Sequence, residues 1–200
     1  MLNRWWTLIA IALPLAAQDR LVQDRIQDRD IDVERSAITI HVGRAGLLSA
    51  AGHEHWVSAP ISSGTVNDSA TPRVDFVVET AKMRVKPDPK VDAKSQAQIQ
   101  KDMEEMTLET RKYAEIRFQS TRVESAGERW SVDGTLSLHG VSKTIRVTVT
   151  RDGDAYIGRT ILKQTDFGIN PISVGGGTIK VKNEIEIEFR VYTARKLGRD

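Results

Sequence analysis

From about residue 31 onward the chain repeats one pattern, apolar and polar residues in strict alternation, and this restricts it to β-sheet. Ser36, Ile38, Ile40 and Val42 fall on one face, with Ala37, Thr39 and His41 on the other. Phe76 and Val78 share a face within 74–80, and Ile116, Phe118 and Ser120 align within 116–123. Within 130–138, Val132, Gly134, Leu136 and Leu138 point away from Arg129 and Asp133. Ile145, Val147 and Val149 align within 143–151. Segments 53–57 and 155–163 add two further strands, and in 182–192 Ile185, Ile187 and Phe189 alternate with Glu184, Glu186 and Glu188. Period two with β-branched residues marks half-buried strands, because successive side chains leave a strand on opposite faces. About eight such strands predict an all-β, antiparallel sandwich or barrel.

One stretch departs from this pattern. Asp88-Pro89 reads as a helix N-cap followed by proline at the first helical position. Behind it Ile99, Met103 and Met106 recur at helical spacing among Lys, Gln and Glu. The spacing predicts one amphipathic helical insert within residues 90–109, packed on or capping the sheet. Gly175-Gly176-Gly177 is followed by neither Lys-Ser nor Lys-Thr and lies between strands, so it reads as a turn rather than a phosphate loop.

The first 17 residues are of another kind. Arg4 precedes an apolar run from Trp5 to Ala17, ending in Ala16-Ala17 before Gln18. This is the layout of a secretory signal peptide, and 13 residues are too few for a comfortable membrane span of about 20. The expected organisation is a signal peptide at 1–17, a charged linker at 18–30 with Gln-Asp-Arg three times, a β-domain at 31–192 and a tail at 193–200. The expected location is periplasmic or secreted. A net charge of only +2, without a basic stripe, gives nucleic-acid binding no support. The absence of cysteine removes disulfides, thiolate metal sites and a cysteine nucleophile.

Three ordered motifs carry a resemblance. Gly134-Thr135-Leu136-Ser137-Leu138-His139-Gly140-Val141-Ser142-Lys143 is similar to the Gly-x-Leu-Thr-Leu-His-Gly-Val-Thr-Lys signature of the YceI-like family of exported bacterial lipid-binding proteins. Tyr113-Ala114-Glu115-Ile116-Arg117-Phe118-Gln119-Ser120 resembles its Tyr-Pro-x-Ile-x-Phe-x-Ser, and Gln164-Thr165-Asp166-Phe167-Gly168-Ile169 its Arg-Ser-Asp-Phe-Gly-Ile. Arg35-Ser36 stands where the family has His-Ser, Ile40 replaces an aromatic, and Ala114 replaces the proline. The resemblance implies an extended, lipocalin-like antiparallel β-barrel enclosing a long isoprenoid chain, such as a polyprenyl or quinone tail.

The candidate cavity residues follow from the apolar faces: Ile38, Ile40, Phe76, Val78, Phe118, Leu136, Leu138, Val147, Ile187 and Phe189, joined by Phe167 and by Met103 and Met106 of the insert. Methionine adapts its shape to flexible apolar chains. His53, His55, His139 and Asp166 are the candidates for a polar rim. His53 and His55 would share a strand face, which leaves a metal site open, with His41, His139 or a carboxylate as third ligand. His139 before Gly140 also suits a hairpin turn. Asp166-Phe167-Gly168 lacks the companion motifs of a kinase, and no Gly-x-Ser-x-Gly elbow occurs.

The expected function is therefore non-enzymatic binding, storage or transport of an isoprenoid-type lipid, with no cofactor, no nucleic acid and no membrane span after signal cleavage. The other two readings are a metal-binding protein built on His53 and His55 and an envelope protein-interaction module with a filled barrel. Exposed strands leave room for a homodimer.

Overall fold

The computed structural model describes residues 28–45, 54–69, 71–174 and 179–194. The expected signal segment 1–17, most of the expected linker, His53, the expected turn at Gly175-Gly176-Gly177 and residues 195–200 lie outside the described residues.

Among the described residues there are twelve strands: β1 (Arg29–Asp30), β2 (Ala37–Ala45), β3 (His55–Ser58), β4 (Ile61–Asn67), β5 (Arg73–Glu79), β6 (Arg84–Val85), β7 (Glu115–Ala126), β8 (Arg129–Leu138), β9 (Val141–Asp152), β10 (Ala155–Lys163), β11 (Ser173–Val174) and β12 (Ile179–Tyr192). Eleven of them pair in the order β1-β4-β5-β7-β8-β9-β10-β12-β2-β3-β6, with β11 on β12, and every pairing is antiparallel. The sheet also closes. Ile31, just past β1, bridges Thr193, just past β12, and Asp32 N–H donates to Tyr192 O while Ala194 N–H donates to Asp30 O. β1 therefore lies between β4 and the end of β12. The short strands join in twos: β1 with β2, β3 with β4, and β5 with β6 each continue one path across a bend, so the ring has eight staves. A closed ring hides its strand edges and directs one face of every stave inward.

Glycine lets three staves approach one another. A Cβ on Gly64 of β4 would stand 2.8 Å from the Phe76 Cβ opposite it; one on Gly134 of β8 would stand 2.6 Å from Phe118 Cε2; one on Gly158 of β10 would stand 2.9 Å from Phe189 Cε1. The Phe118 and Phe189 rings thus each lie along the wall over a neighbouring glycine. β4 has no counterpart in the alternation pattern, because Ser62-Ser63-Gly64 supplies no β-branched or aromatic residue to signal it. β1, β6 and β11 have two residues each and carry no pattern.

The insert is α1 (Ala93–Asp102), and its cap is not Asp88. Asp92 is the N-cap, accepting from the N–H groups of Lys94 and Ser95. Asp88-Pro89 forms the preceding turn, in which Asp88 accepts from Lys90 N–H and Val91 N–H. After Asp102 the helix widens into one π-turn over Met103–Thr107, where Leu108 N–H donates to Met103 O. That extra residue rotates the pattern. Met103 stays buried, Leu108 takes the next inward place, and Met106 swings outward to 65% exposure. Gln100 ties the insert to the sheet, accepting from Val85 N–H through Oε1 and donating to Met83 O through Nε2.

Candidate functional site

The inward faces enclose a cavity of about 240 Å³ whose wall is almost wholly apolar. Ile38, Ile40, Phe76, Val78, Met103, Phe118, Leu136, Leu138, Val147, Phe167, Ile187 and Phe189 all stand on this wall. They come from six strands, the π-turn and the 3-10 turn Gln164–Phe167. Met106 does not reach it, for the reason given above. Phe76 and Phe118 stack at 5.5 Å between ring centres. Sequence reading missed several wall residues, among them Trp130, Ile145, Val149, Leu162, Ile185 and Val191; most extend the same alternating faces by one step.

The two ends of the cavity differ. One is closed by buried apolar side chains: Met83, Met103, Leu108, Leu138, Phe167 at 2% exposure, and Ile169. The buried Gln164 is polar, but its Nε2 donates to Lys182 O where the β2–β12 register slips between Val181 and Ile185. At the other end Asn67, Asp68, Pro72 and Arg73 reach the wall from the β4–β5 connection, and Tyr156 from β10. The Asp68 and Arg73 side chains keep about a third of their surface in solvent, so this end is the mouth.

A hydrogen-bonded network spans the mouth. The Tyr156 hydroxyl donates to Asp68 Oδ2 at 2.5 Å and accepts from Arg29 Nη2 at 2.9 Å. Arg29 also pairs with Asp68 Oδ2 at 2.7 Å, and Arg151 stands 3.8 Å from the same oxygen. Beside them Asp28 accepts from Asn67 Nδ2 at 3.0 Å and from Arg73 Nη2 at 2.8 Å. Trp130 meets the Tyr156 ring edge-on at 5.6 Å. Burial pushes the Tyr156 hydroxyl above its ordinary value, and the hydrogen bond to Asp68 adds to this. Burial also pushes Asp68 upward, but the Tyr156 hydroxyl and the Arg29 charge outweigh it, so the carboxyl lies below the usual carboxylate range.

The expected polar rim lies elsewhere. His139 and Gly140 have φ of 52° and 77° and form the two-residue turn between β8 and β9, a geometry that suits paired left-handed residues. The His139 ring lies 4.2 Å from that of Tyr113, and its Nε2 is 2.8 Å from Glu109 Oε2, at the closed end and off the cavity wall. Asp166 is exposed and pairs with Lys143 at 3.4 Å. His55 borders a pocket of about 20 Å³ with Lys86, Asp88 and Gln96, room for about one water. His41 stacks on Trp56 at 4.4 Å and meets Glu54 Oε2 at 3.1 Å. Among the described residues no three His, Asp or Glu side chains gather around a common metal position.

Comparison with known proteins agrees with this architecture. The sequence profile of the YceI-like domain matches residues 30–193. A UPF0312 protein of Pseudomonas savastanoi pv. phaseolicola is 34% identical over 93 residues, covering 41% of this chain and 46% of the relative. A UPF0312 protein of Pseudomonas putida (strain W619) is 32% identical over 90 residues, 40% of this chain and 47% of that protein. The matched stretch thus spans about half the length of these curated relatives. The crystal structure of BcnA from Burkholderia cenocepacia superposes with a TM-score of 0.55 at 17% identity, over 82% of this chain and 99% of that one. A polyisoprenoid binding domain from Saccharophagus degradans, implicated in plant cell wall breakdown, gives 0.55 at 13% identity, over 84% and 97%. At such identities these likenesses establish the fold alone.

Proposed function

The chain belongs to the YceI-like domain family, and from that premise we propose that it binds and carries an isoprenoid-type lipid, without chemistry, in the periplasm. The observation that carries the reading is the cavity: a closed apolar lumen with one polar mouth. Each methylene taken from water into such a wall contributes about 0.8 kcal/mol. Ten buried carbons give on the order of 8 kcal/mol before ordering costs, with no charged partner required. The glycine-seated phenyls support the same reading, because they hold aromatic bulk against the wall. The polyisoprenoid binding of the Saccharophagus domain points the same way by analogy of fold. The periplasmic location rests on the leader-like first 17 residues. Among the described residues no helix is long and apolar enough to cross a membrane.

Mass spectrometry of organic extracts from protein purified without detergent tests the ligand. A stoichiometric apolar lipid with an isoprenoid mass ladder is expected. Repeated lipid-free preparations that also fail to take up a fluorescent polyprenyl probe would refute the reading. The intact mass of protein recovered from the periplasm tests export; a mass that still includes residues 1–17 would contradict it.

A further inference from the structure

The ladder between β9 and β10 stops half way. Thr148 of β9 and Arg159 of β10 are the last residues the two strands pair. Both strands run on, β9 back to Val141 and β10 forward to Lys163. Neither is frayed there, because β9 stays paired with β8 as far as Val141 and β10 with β12 as far as Lys163. Residues 144–147 and 160–163 therefore flank a slit with no ladder hydrogen bond across it. Among the described residues no other two neighbouring strands both continue for several residues past their last shared pair. Below the slit Lys143 Nζ stands 3.4 Å from Asp166 Oδ1. Side chains shut it. Ile145 and Val147 come from one lip and Thr160, Leu162 and Lys163 from the other, and all five stand on the lumen wall. Val147 and Leu162 are buried, while Ile161 on the outer lip is 64% exposed. Parting two zipped strands breaks about one ladder bond per residue pair, and each broken bond lowers the parted population about five-fold, net of the bonds to water that replace it. Thr160–Lys163 lack all of theirs toward β9. The slit is thus easier to part than a zipped stretch of equal length by a factor on the order of several hundred. Widening the mouth is harder, since it separates Asp68 from the Tyr156 hydroxyl and from Arg29.

We propose that the β9–β10 slit is a lateral passage through which an apolar chain enters and leaves the lumen. The proposal rests on the lipid-binding reading above and adds the route. Shut, the slit completes the wall by packing alone. Parted, it offers an approaching chain apolar side chains in sequence, from Ile161 outside to Val147 and Leu162 within. The route governs rates and not affinity, because a chain enclosed in the shut lumen makes the same contacts whichever way it came. Locking the slit is therefore expected to slow uptake and release in equal proportion.

The chain has no cysteine, so one cross-link can be placed at will. Continuing the register beyond Thr148 and Arg159 sets Ile161 opposite Arg146, both on the outer face. Arg146→Cys/Ile161→Cys thus bridges the slit, and Thr148→Cys/Arg159→Cys bridges the last zipped position as a control. The two variants are matched, since each loses one exposed arginine ion pair, to Asp133 or to Glu186. Diamide closes the disulfide; where the thiols stand too far apart for that, a bis-maleimide spans them. Intact mass confirms the link and thermal melts the fold. Stopped-flow fluorescence then follows uptake and release of dansyl-labelled geraniol. Linking the slit is expected to slow both at least about ten-fold while the dissociation constant stays within about two-fold, with dithiothreitol reversing the effect of the disulfide. Linking the control position is expected to leave both rates unchanged. Unaltered rates in the linked slit variant, equal slowing in the control, or weaker binding without slower uptake overturns the passage and leaves lipid binding standing. Failure of the wild type to bind the probe overturns the lipid reading and the passage together.

Discussion

Replacing Gly134 by alanine probes the feature that keeps the lumen open. The added Cβ would lie 2.6 Å from Phe118 Cε2, closer still to Cζ, and 2.8 Å from Gln119 O. Ordinary carbon contacts begin near 3.5 Å, so the ring must retreat by about 1 Å. It cannot retreat along the wall, because Phe76 is stacked beside it. It turns instead into the lumen, where Phe118 already borders the cavity. Overpacking of this kind costs about 1–3 kcal/mol. For a domain of this size that lowers the melting temperature by roughly 2–12 °C. Two readouts follow in parallel, a lower melting temperature and weaker polyprenyl-probe binding. Adding Phe118→Leu to Gly134→Ala removes the ring that clashes and should recover both in part. A Gly134→Ala protein that melts and binds like the wild type would refute the account of glycine-seated rings. So would a double variant that is worse than the single one in both assays.

Three further outcomes are expected. Tyr156 carries a raised pKa, so the stability it contributes is complete below its unfolded value near 10 and is lost as pH rises through the folded value. Asp68 carries a lowered one, so its share is present above about pH 4 and is lost as pH falls through the folded value. Urea denaturation of Tyr156→Phe should show a shallower alkaline loss than the wild type at about 1 kcal/mol lower neutral stability; superimposable alkaline limbs would be inconsistent with the network. Met103→Ala should cost about 2–5 kcal/mol and Met106→Ala under about 0.5 kcal/mol, since the π-turn buries one and exposes the other; equal melting temperatures would place the turn wrongly. Gly140→Ala combines φ of 77° with a Cβ 2.7 Å from Tyr113 Cε1 and should lower stability by at least about 1 kcal/mol, read from the chemical-denaturation midpoint.

The barrel was legible because alternation is a local property: Ile38, Ile40 and Val42 announce their shared face within five residues. β4 was not, since Ser62, Ser63 and Gly64 become strand only through β1 and β5 on either side. Helical spacing placed Met103 and Met106 together, but one wider turn separates them, and periodicity carries no trace of an i to i+5 hydrogen bond. The polar end was misplaced for a similar reason. Histidines attract attention in a sequence, yet His139 serves a hairpin at the closed end. The mouth is assembled from Arg29, Asp68, Arg73 and Tyr156, whose meeting is purely tertiary. One signal was available: Tyr156 occupies the inward phase of β10 shared by Thr160 and Leu162, and a buried tyrosine hydroxyl requires a partner.

The way the ring closes sets an order of events. Pairings such as β7 with β8 and β8 with β9 join neighbours in the chain and can form as soon as both strands exist. The seam between Ile31 and Thr193 joins residues about 160 positions apart, a closure that costs on the order of 4–5 kcal/mol of chain entropy if made first. It is cheap only after the intervening staves are assembled. The lumen is therefore the last compartment of the molecule to come into being, and until the seam is made its wall is an open apolar trough, the state in which the chain is most exposed to aggregation and slowest to advance.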